Sequence, residues 1–343
     1  MHPAGTKATI LSSGSILVPR GMKLPVPLSR SSAGPGGGLT SLFFRIGKST
    51  LRLDVVRVAM EGADPELVLR ETGGRFDIVK RGRVLARGVK PLNAGFHAPG
   101  QAFINLHDSC RFSCAFCTLP VSPGKGLPAE RWAVLIKGAL ASGKVNAVAI
   151  TTGIPDSPSK ACRDLARLVR SIRRDFPGVP IGVEPYTVDE KDLALLKRGG
   201  ATELKLNVQC ATDELMGRVC PDLDRGDILD NLEAGVRLFG KGRVCSNLLV
   251  GLGETDRELL ATVRELAALG VAVNLRPLRL NALNRGPLGK ALGKEPEPPD
   301  ASRMLRLASA QKRIFAEHGL DPSSFRTMCH RCTACDIEPF VDI

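Results

Sequence analysis

Cys110, Cys114 and Cys117 stand within one stretch, residues 102–120, that reads AFINLHDSCRFSCAFCTLP. Thiolates are soft ligands suited to iron–sulfur clusters and zinc, and intervals of three and two residues let one loop wrap a single metal centre. On a cubane of four irons, three cysteines leave one iron without a protein ligand. Reacting metals need such an open position, whereas a structural site is closed. His107 keeps a second reading open, a zinc knot in which the imidazole is the fourth ligand. A second triplet, Cys329, Cys332 and Cys335, lies in MCHRCTACDIEP with His330 inside it. An iron–sulfur cluster, a zinc site using His330, and loose thiols are all open there, and Arg326 and Arg331 favour the thiolate form. Cys162, Cys210, Cys220 and Cys245 are scattered and read as small core residues.

The first triplet, with the aromatic Phe116 directly before its last cysteine, resembles the cluster loop of the radical S-adenosylmethionine enzymes. The resemblance implies a [4Fe-4S] cluster on Cys110, Cys114 and Cys117, with S-adenosylmethionine on the fourth iron through its amino and carboxylate groups. It also implies reductive cleavage to a 5′-deoxyadenosyl radical and a reductant such as ferredoxin or flavodoxin. The run KLNVQCATDELMGRVC and the later VCSNLLVGLGETDRELL resemble the biotin and lipoyl synthases within that superfamily. In those enzymes a second cluster supplies inserted sulfur, but its ligands occupy other positions in the chain, so residues 329–335 are not equated with them. Sulfur insertion into a small-molecule or carrier-protein-bound substrate is the expected reaction. Radical methylation, rearrangement or C–C bond chemistry is the alternative, with the second triplet as an electron relay or a zinc site. Outside enzymes, a zinc-bearing basic module for RNA or protein remains.

The resemblance also marks positions at the carboxyl ends of strands, where parallel α/β folds place their working residues. Thr152 and Gly153 end the second strand, where the family brings backbone close to the methionine amino group; no glutamate follows here, so only backbone contact carries over. Glu184 ends the third strand and is a candidate for ribose hydroxyls or the methionine ammonium, with an ordinary salt bridge as the alternative. Asn207 and Gln209 share one face of the fourth strand, and their amides suit ribose hydroxyls. Arg218 is a candidate for the cofactor carboxylate, or simply an exposed helical arginine. The turn Gly251-Leu252-Gly253-Glu254-Thr255 reads as structural, with Thr255 capping the next helix.

Positioning these residues needs a parallel sheet. Strand-like runs at 102–107, 145–151, 179–184, 203–209, 244–250 and 271–276 alternate with helical patterns at 129–142, 159–175, 189–198, 213–218, 227–239 and 254–269. A basic Pro/Gly-rich loop then runs to Pro299, followed by a last helix over 301–318. The resemblance favours a partial (β/α)6 TIM-like barrel for residues 99–320, with an open doubly wound sheet as the other arrangement. Residues 1–98 read as a small, mostly-β N-terminal domain, with β-like runs at 8–11 and 15–18, strands at 42–46 and 51–58, and a hairpin over 76–87. The run 29–38, SRSSAGPGGG, reads as a flexible loop. Residues 321–343 form the C-terminal cysteine-rich tail.

At 343 residues the chain is long enough to bury a substantial core. Its net charge is +13, and residues 1–100 hold fifteen Lys or Arg against six Asp or Glu. That excess suits an acidic partner or substrate, or simply keeps the protein in solution. One Trp and one Tyr count against single-stranded nucleic acid, which needs stacking platforms. No apolar run approaches the ~20 residues of a membrane span, and residues 1–15 lack a secretory apolar run, so a cytoplasmic location without membrane association is expected.

Overall fold

The structure, a computed structural model, describes residues 3–30, 34, 37, 39–56, 66–124, 126–187 and 189–343. Helix α1 (Pro3–Ser13) precedes strands β1 (Ser15–Leu17), β2 (Ser29–Arg30), β3 (Thr40–Ile46), β4 (Ser49–Val56), β5 (Leu67–Thr72), β6 (Arg75–Lys80) and β7 (Arg83–Leu92). Strand β3 pairs with β4 on one edge and with both β2 and β7 on the other, so the order β3-β4-β1-β5-β6-β7 closes on itself. Closure removes the exposed strand edges that a small open sheet would present. Leu42, Phe44, Leu51, Leu53, Leu69 and Ile78 fill the interior.

Residues 8–11, expected as a β-like run, are instead part of α1. Packing overrides their local preference: Ala8 lies among Met304, Ala308 and Ile337, while Ile10 enters the core of the small barrel. The expected loop at 29–38 and the end of the expected strand 51–58 fall largely outside the described residues. Gly34, within the described set, accepts bonds from the Thr118 backbone at 3.3 Å and its hydroxyl at 3.2 Å.

A short strand β8 (His97–Ala98) leads into the second sheet. There β9 (Gln101–Asn105), β10 (Val148–Thr151), β11 (Ile181–Glu184), β12 (Glu203–Lys205), β13 (Val244–Val250) and β14 (Ala272–Pro277) lie side by side in chain order. All their pairings are parallel, whereas β8 joins the outer edge of β9 antiparallel. Six parallel strands with β9 and β14 unpaired make a partial barrel, not the doubly wound sheet. Helices α2 (Ala129–Ala141), α3 (Pro158–Asp175), α4 (Glu190–Gly199), α5 (Asp213–Val219), α6 (Arg225–Phe239), α7 (Asp256–Ala268), α8 (Arg285–Leu292) and α9 (Ala301–Glu317) occupy the connections and the segment after β14.

Local chemistry starts several of these helices. Ser157, Asp189, Thr212 and Asp224 each accept a bond from the first turn, and Thr255 forms a reciprocal capping box with Glu258. The expected basic loop before Pro299 contains α8. Its apolar face, including Leu288 and Leu292, is buried, and Gly293 takes the left-handed conformation that ends it.

The tail plugs the barrel from below. Phe325, Met328 and Cys329 pack against Phe103, Ala149, Cys245 and Ala272, which project inward from the strands. Gln101 bonds Met328 twice, Nε2 to its carbonyl at 2.9 Å and Oε1 from its backbone N–H at 2.8 Å. A Cβ on Gly182 would stand 2.2 Å from the Thr327 hydroxyl and 2.6 Å from the Met328 methyl, so β11 has room for the plug only through that glycine. Beyond helix α10 (Met328–Cys332) the tail meets the small barrel, where the Arg52 N–H donates to the Ala334 carbonyl at 2.8 Å. Lys7 donates to the Thr333 carbonyl and to Asp342, both at 2.6 Å.

Candidate active site

The loop carrying Cys110, Cys114 and Cys117 leaves β9 and is pinned on two sides. The Gly153 and Arg111 N–H groups bond the His107 and Ile154 carbonyls at 3.0 and 2.8 Å. The Ala115 N–H bonds the Val219 carbonyl at the end of α5 at 2.8 Å. Asp222 accepts both the Ser113 N–H and its hydroxyl at 2.6 Å. A Cβ at Gly153 would come within 2.2 Å of the Ser109 carbonyl oxygen, so close backbone approach is what this glycine permits.

Thr152 holds the same loop, its hydroxyl bonded to His107 Nδ1 at 2.8 Å. The other ring nitrogen of His107 faces Asp164 at 3.5 Å. His330 is held through one ring nitrogen, and among the described residues its Nε2 is buried without a partner. Its Nδ1 lies 3.1 Å from Glu338 and 3.3 Å from Asn274.

A cavity of ≈ 480 Å³ lies between the carboxyl ends of the strands, the small barrel and the tail. Phe116 from the first triplet's loop lines it, as do Glu184, Asn207, Gln209, Cys329 and Cys335. Asn207 donates to Glu184 Oε1 at 2.6 Å and accepts the Asn247 N–H at 2.9 Å. Gln209 sits at φ +63° and bridges to Leu248, re-entering the ladder after the chain leaves it at Lys205. Phe116 is fixed through its carbonyl, which accepts from Asn284 at 3.1 Å.

Arg218 is not brought to the cavity. Its guanidinium caps the end of α8, bonding the Ala291 carbonyl at 3.0 Å and the Leu292 carbonyl beside it. The physical reason is the short α8, whose last carbonyls lack intrahelical partners and are met by this cation.

Residues not singled out from sequence complete the chamber. Lys205 is 2% exposed and contacts Glu184 at 3.2 Å and the Cys329 sulfur at 3.3 Å. Burial works against its charge, yet Cys329 and Glu184 outweigh it and raise its pKa. Arg52, Arg276 and Arg279 share this wall with His97, whose imidazole is kept neutral by burial and then by Arg52, Arg276 and Arg279. Strand alternation was the available signal: counting back in twos from Gln209 and Asn207 reaches Lys205, a lysine on an inward position.

The donor set suits an iron–sulfur cluster and a polar cosubstrate. Burial raises the Cys110 thiol, and it pushes Cys117 up to about 11, with the neighbouring thiols adding to both. A cation bound among them reverses that balance, because metal ligation and thiol deprotonation are one equilibrium. Cys220 meanwhile faces both Cys114 and Cys210, and its bonds to the two, with burial, drive its thiol upward. Among the described residues no three His, Cys, Asp or Glu side chains converge as a preformed metal site. Two acceptors on the cavity wall, Asn105 Oδ1 and Asn247 Oδ1, are buried without a partner. Ammonium and hydroxyl donors of a nucleoside cosubstrate are suited to such atoms.

Partial barrel, three-thiol loop and chamber together define a class of enzyme in which a metal centre and a polar cosubstrate meet at the carboxyl ends of parallel strands. Residues 104–266 match the family model described as Radical SAM superfamily. This match, over just under half of the chain, supports a radical SAM enzyme, and members of that superfamily use a [4Fe-4S] cluster, S-adenosylmethionine and a reductant. The chain is similar to a biotin synthase from Cutibacterium acnes, 26% identical over 178 residues, covering 49% of this chain and 48% of that protein. It is also similar to a lipoyl synthase from Chlorobium phaeovibrioides, 26% identical over 176 residues, covering 49% of this chain and 60% of that one. The chain thus spans about half the length of the curated relatives it matches. In fold it resembles Streptococcus suis SuiB, solved bound to S-adenosylmethionine, with a TM-score of 0.51 at 13% identity over 64% of this chain and 48% of that one. Among the described residues no helix is long and apolar enough to cross a membrane.

Proposed function

We propose that the protein cleaves S-adenosylmethionine reductively at the first triplet and uses the resulting radical to insert sulfur into a substrate held in the ≈ 480 Å³ chamber. Cys110, Cys114 and Cys117 would hold the cluster, which would supply the electron for that cleavage and so the means to take hydrogen from an unactivated carbon. Thr152, Gly153 and Asp222 hold the loop, and Phe116 presents its ring to the chamber. Asn105, Asn247, Glu184, Asn207 and Gln209 offer acceptors and donors to the cosubstrate, while Phe103, Ile104 and Trp132 keep water from a reactive carbon centre.

One observation carries the sulfur reading: the first loop, through Phe116, and the second triplet, through Cys329 and Cys335, open on the same cavity. A sulfur donor must lie within reach of the substrate carbon, and two thiols of the second triplet, Cys329 and Cys335, line the same chamber as Phe116. Likeness to biotin and lipoyl synthases supports the same choice. Iron and sulfide counting on oxygen-free protein, followed by incubation with S-adenosylmethionine, strong reductant and an octanoylated carrier, tests both parts. Iron, deoxyadenosine and a sulfur-bearing product are expected. Protein that binds no iron or yields no deoxyadenosine sinks the first part; product formed without sulfur shifts the reaction to methylation, rearrangement or C–C chemistry.

A further inference from the structure

Four cations line the chamber beside the second triplet, and among the described residues their carboxylate partners number three: Glu184, Asp336 and Asp54. Lys205 has Glu184 at 3.2 Å, and Arg276 has Asp336 at 3.0 Å. Arg52 and Arg279 share a single carboxylate, Asp54: Arg279 contacts its Oδ2 at 2.8 Å, and Arg52 its Oδ1 at 3.4 Å. Arg52 is 5% exposed and Arg279 17%, so water does little to screen the two guanidinium groups. Burial and Arg279 both work against the charge on Arg52. Their neutral partners are fixed acceptors, Ser41 Oγ at 2.8 Å from Arg52 Nε and the Gly14 carbonyl at 3.3 Å from Arg279. A buried charge left short of a counterion is costly, and in a cavity wall it is a recognition element for an anion.

We propose that Arg52, from the small barrel, and Arg279, after β14, clamp an oxyanion of the substrate, so that the substrate is a carboxylate- or phosphate-bearing molecule anchored at the wall opposite the first triplet. This deepens the functional reading above and rests on its assignment of the chamber. The small barrel thereby gains a role, since it supplies one half of the clamp. Two other anions compete for the same charge: the methionine carboxylate of S-adenosylmethionine, and Cys335, which Arg52 contacts.

Calorimetric titration of inorganic phosphate and of malonate into oxygen-free, full-length, metal-loaded protein tests the clamp. Wild type is expected to bind at least one of them, equally well with and without saturating S-adenosylmethionine. Arg52→Gln and Arg279→Gln should each weaken that binding roughly tenfold or more, the scale of a lost charge-assisted hydrogen bond. Arg52→Lys should recover part of it. Thermal melting of each variant checks folding, and Arg52→Gln leaves Asp54 its contact with Arg279.

Competition between phosphate or malonate and S-adenosylmethionine would assign the clamp to the cosubstrate carboxylate and overturn the proposal. Binding that appears only in Cys335→Ala would give the charge to the second triplet, with the same consequence. Undiminished binding in both glutamine variants also refutes it. Wild-type protein that makes deoxyadenosine yet binds neither anion refutes the clamp alone. Anion binding in protein that makes no deoxyadenosine refutes the functional reading instead.

Discussion

Cys114 is the residue on which the chemistry turns. Its sulfur faces Cys220, within a loop whose backbone is tied to the ends of β10 and α5. On the proposed assignment Cys114→Ala removes a cluster ligand while those backbone ties remain, so we expect deoxyadenosine formation to be abolished with an unchanged far-ultraviolet circular dichroism spectrum. Deoxyadenosine still made by that variant would refute the ligand assignment. Cys332→Ala acts on the second triplet, and there deoxyadenosine should still form but the sulfur-bearing product should not. Product at the wild-type level removes the second triplet from the reaction. Both triplets were readable in the sequence because cysteine spacing is a local property. Arg218 was not, because its partner carbonyls belong to a helix formed in a run that reads as a basic, Pro/Gly-rich loop.

At the scale of elements, β11 and the tail plug are built for one another. A strand glycine ordinarily gains stability on replacement by alanine, about 0.5–1 kcal/mol. At Gly182 the sign reverses, since the new Cβ would meet a Thr327 hydroxyl that is itself held by Glu203. Gly182→Ala should cost about 1–3 kcal/mol, as overpacked cores do. Thermal melting reads the cost, and faster proteolysis of the tail after residue 325 locates it; an unchanged midpoint and digestion pattern would show that the plug tolerates displacement. Periodicity disclosed the barrel's strands and helices, since apolar runs and helical spacing are set by immediate neighbours. It misread residues 8–11, whose helical state depends on burial against α9 and the small barrel, contacts distant in the chain.

For the whole molecule, the ends of the chain meet. Lys7 of α1 and Asp342 of the tail form an ion pair at 2.6 Å with side chains 1% and 0% exposed, and Ser49 of β4 donates to the same carboxylate at 2.6 Å. Removing one partner strands a buried charge, so Lys7→Met should lower stability by about 3–5 kcal/mol. Replacing both, as Lys7→Met with Asp342→Leu, should restore part of that loss. Denaturant unfolding of the four proteins measures the coupling, and a single variant as stable as wild type would show that the pair does not bind the tail to the small barrel.

The sequence by itself determined the thiol loop, the alternation of strands and helices and the face shared by Asn207 and Gln209, because each is written in spacings of a few residues, while the strand order waited for the fold. Only the tertiary structure decided that the second triplet opens on the same chamber, that Arg52 and Arg279 share one carboxylate, and that a glycine admits the plug. Those facts join segments far apart in the chain, and no local pattern records which distant surfaces a folded chain presses together.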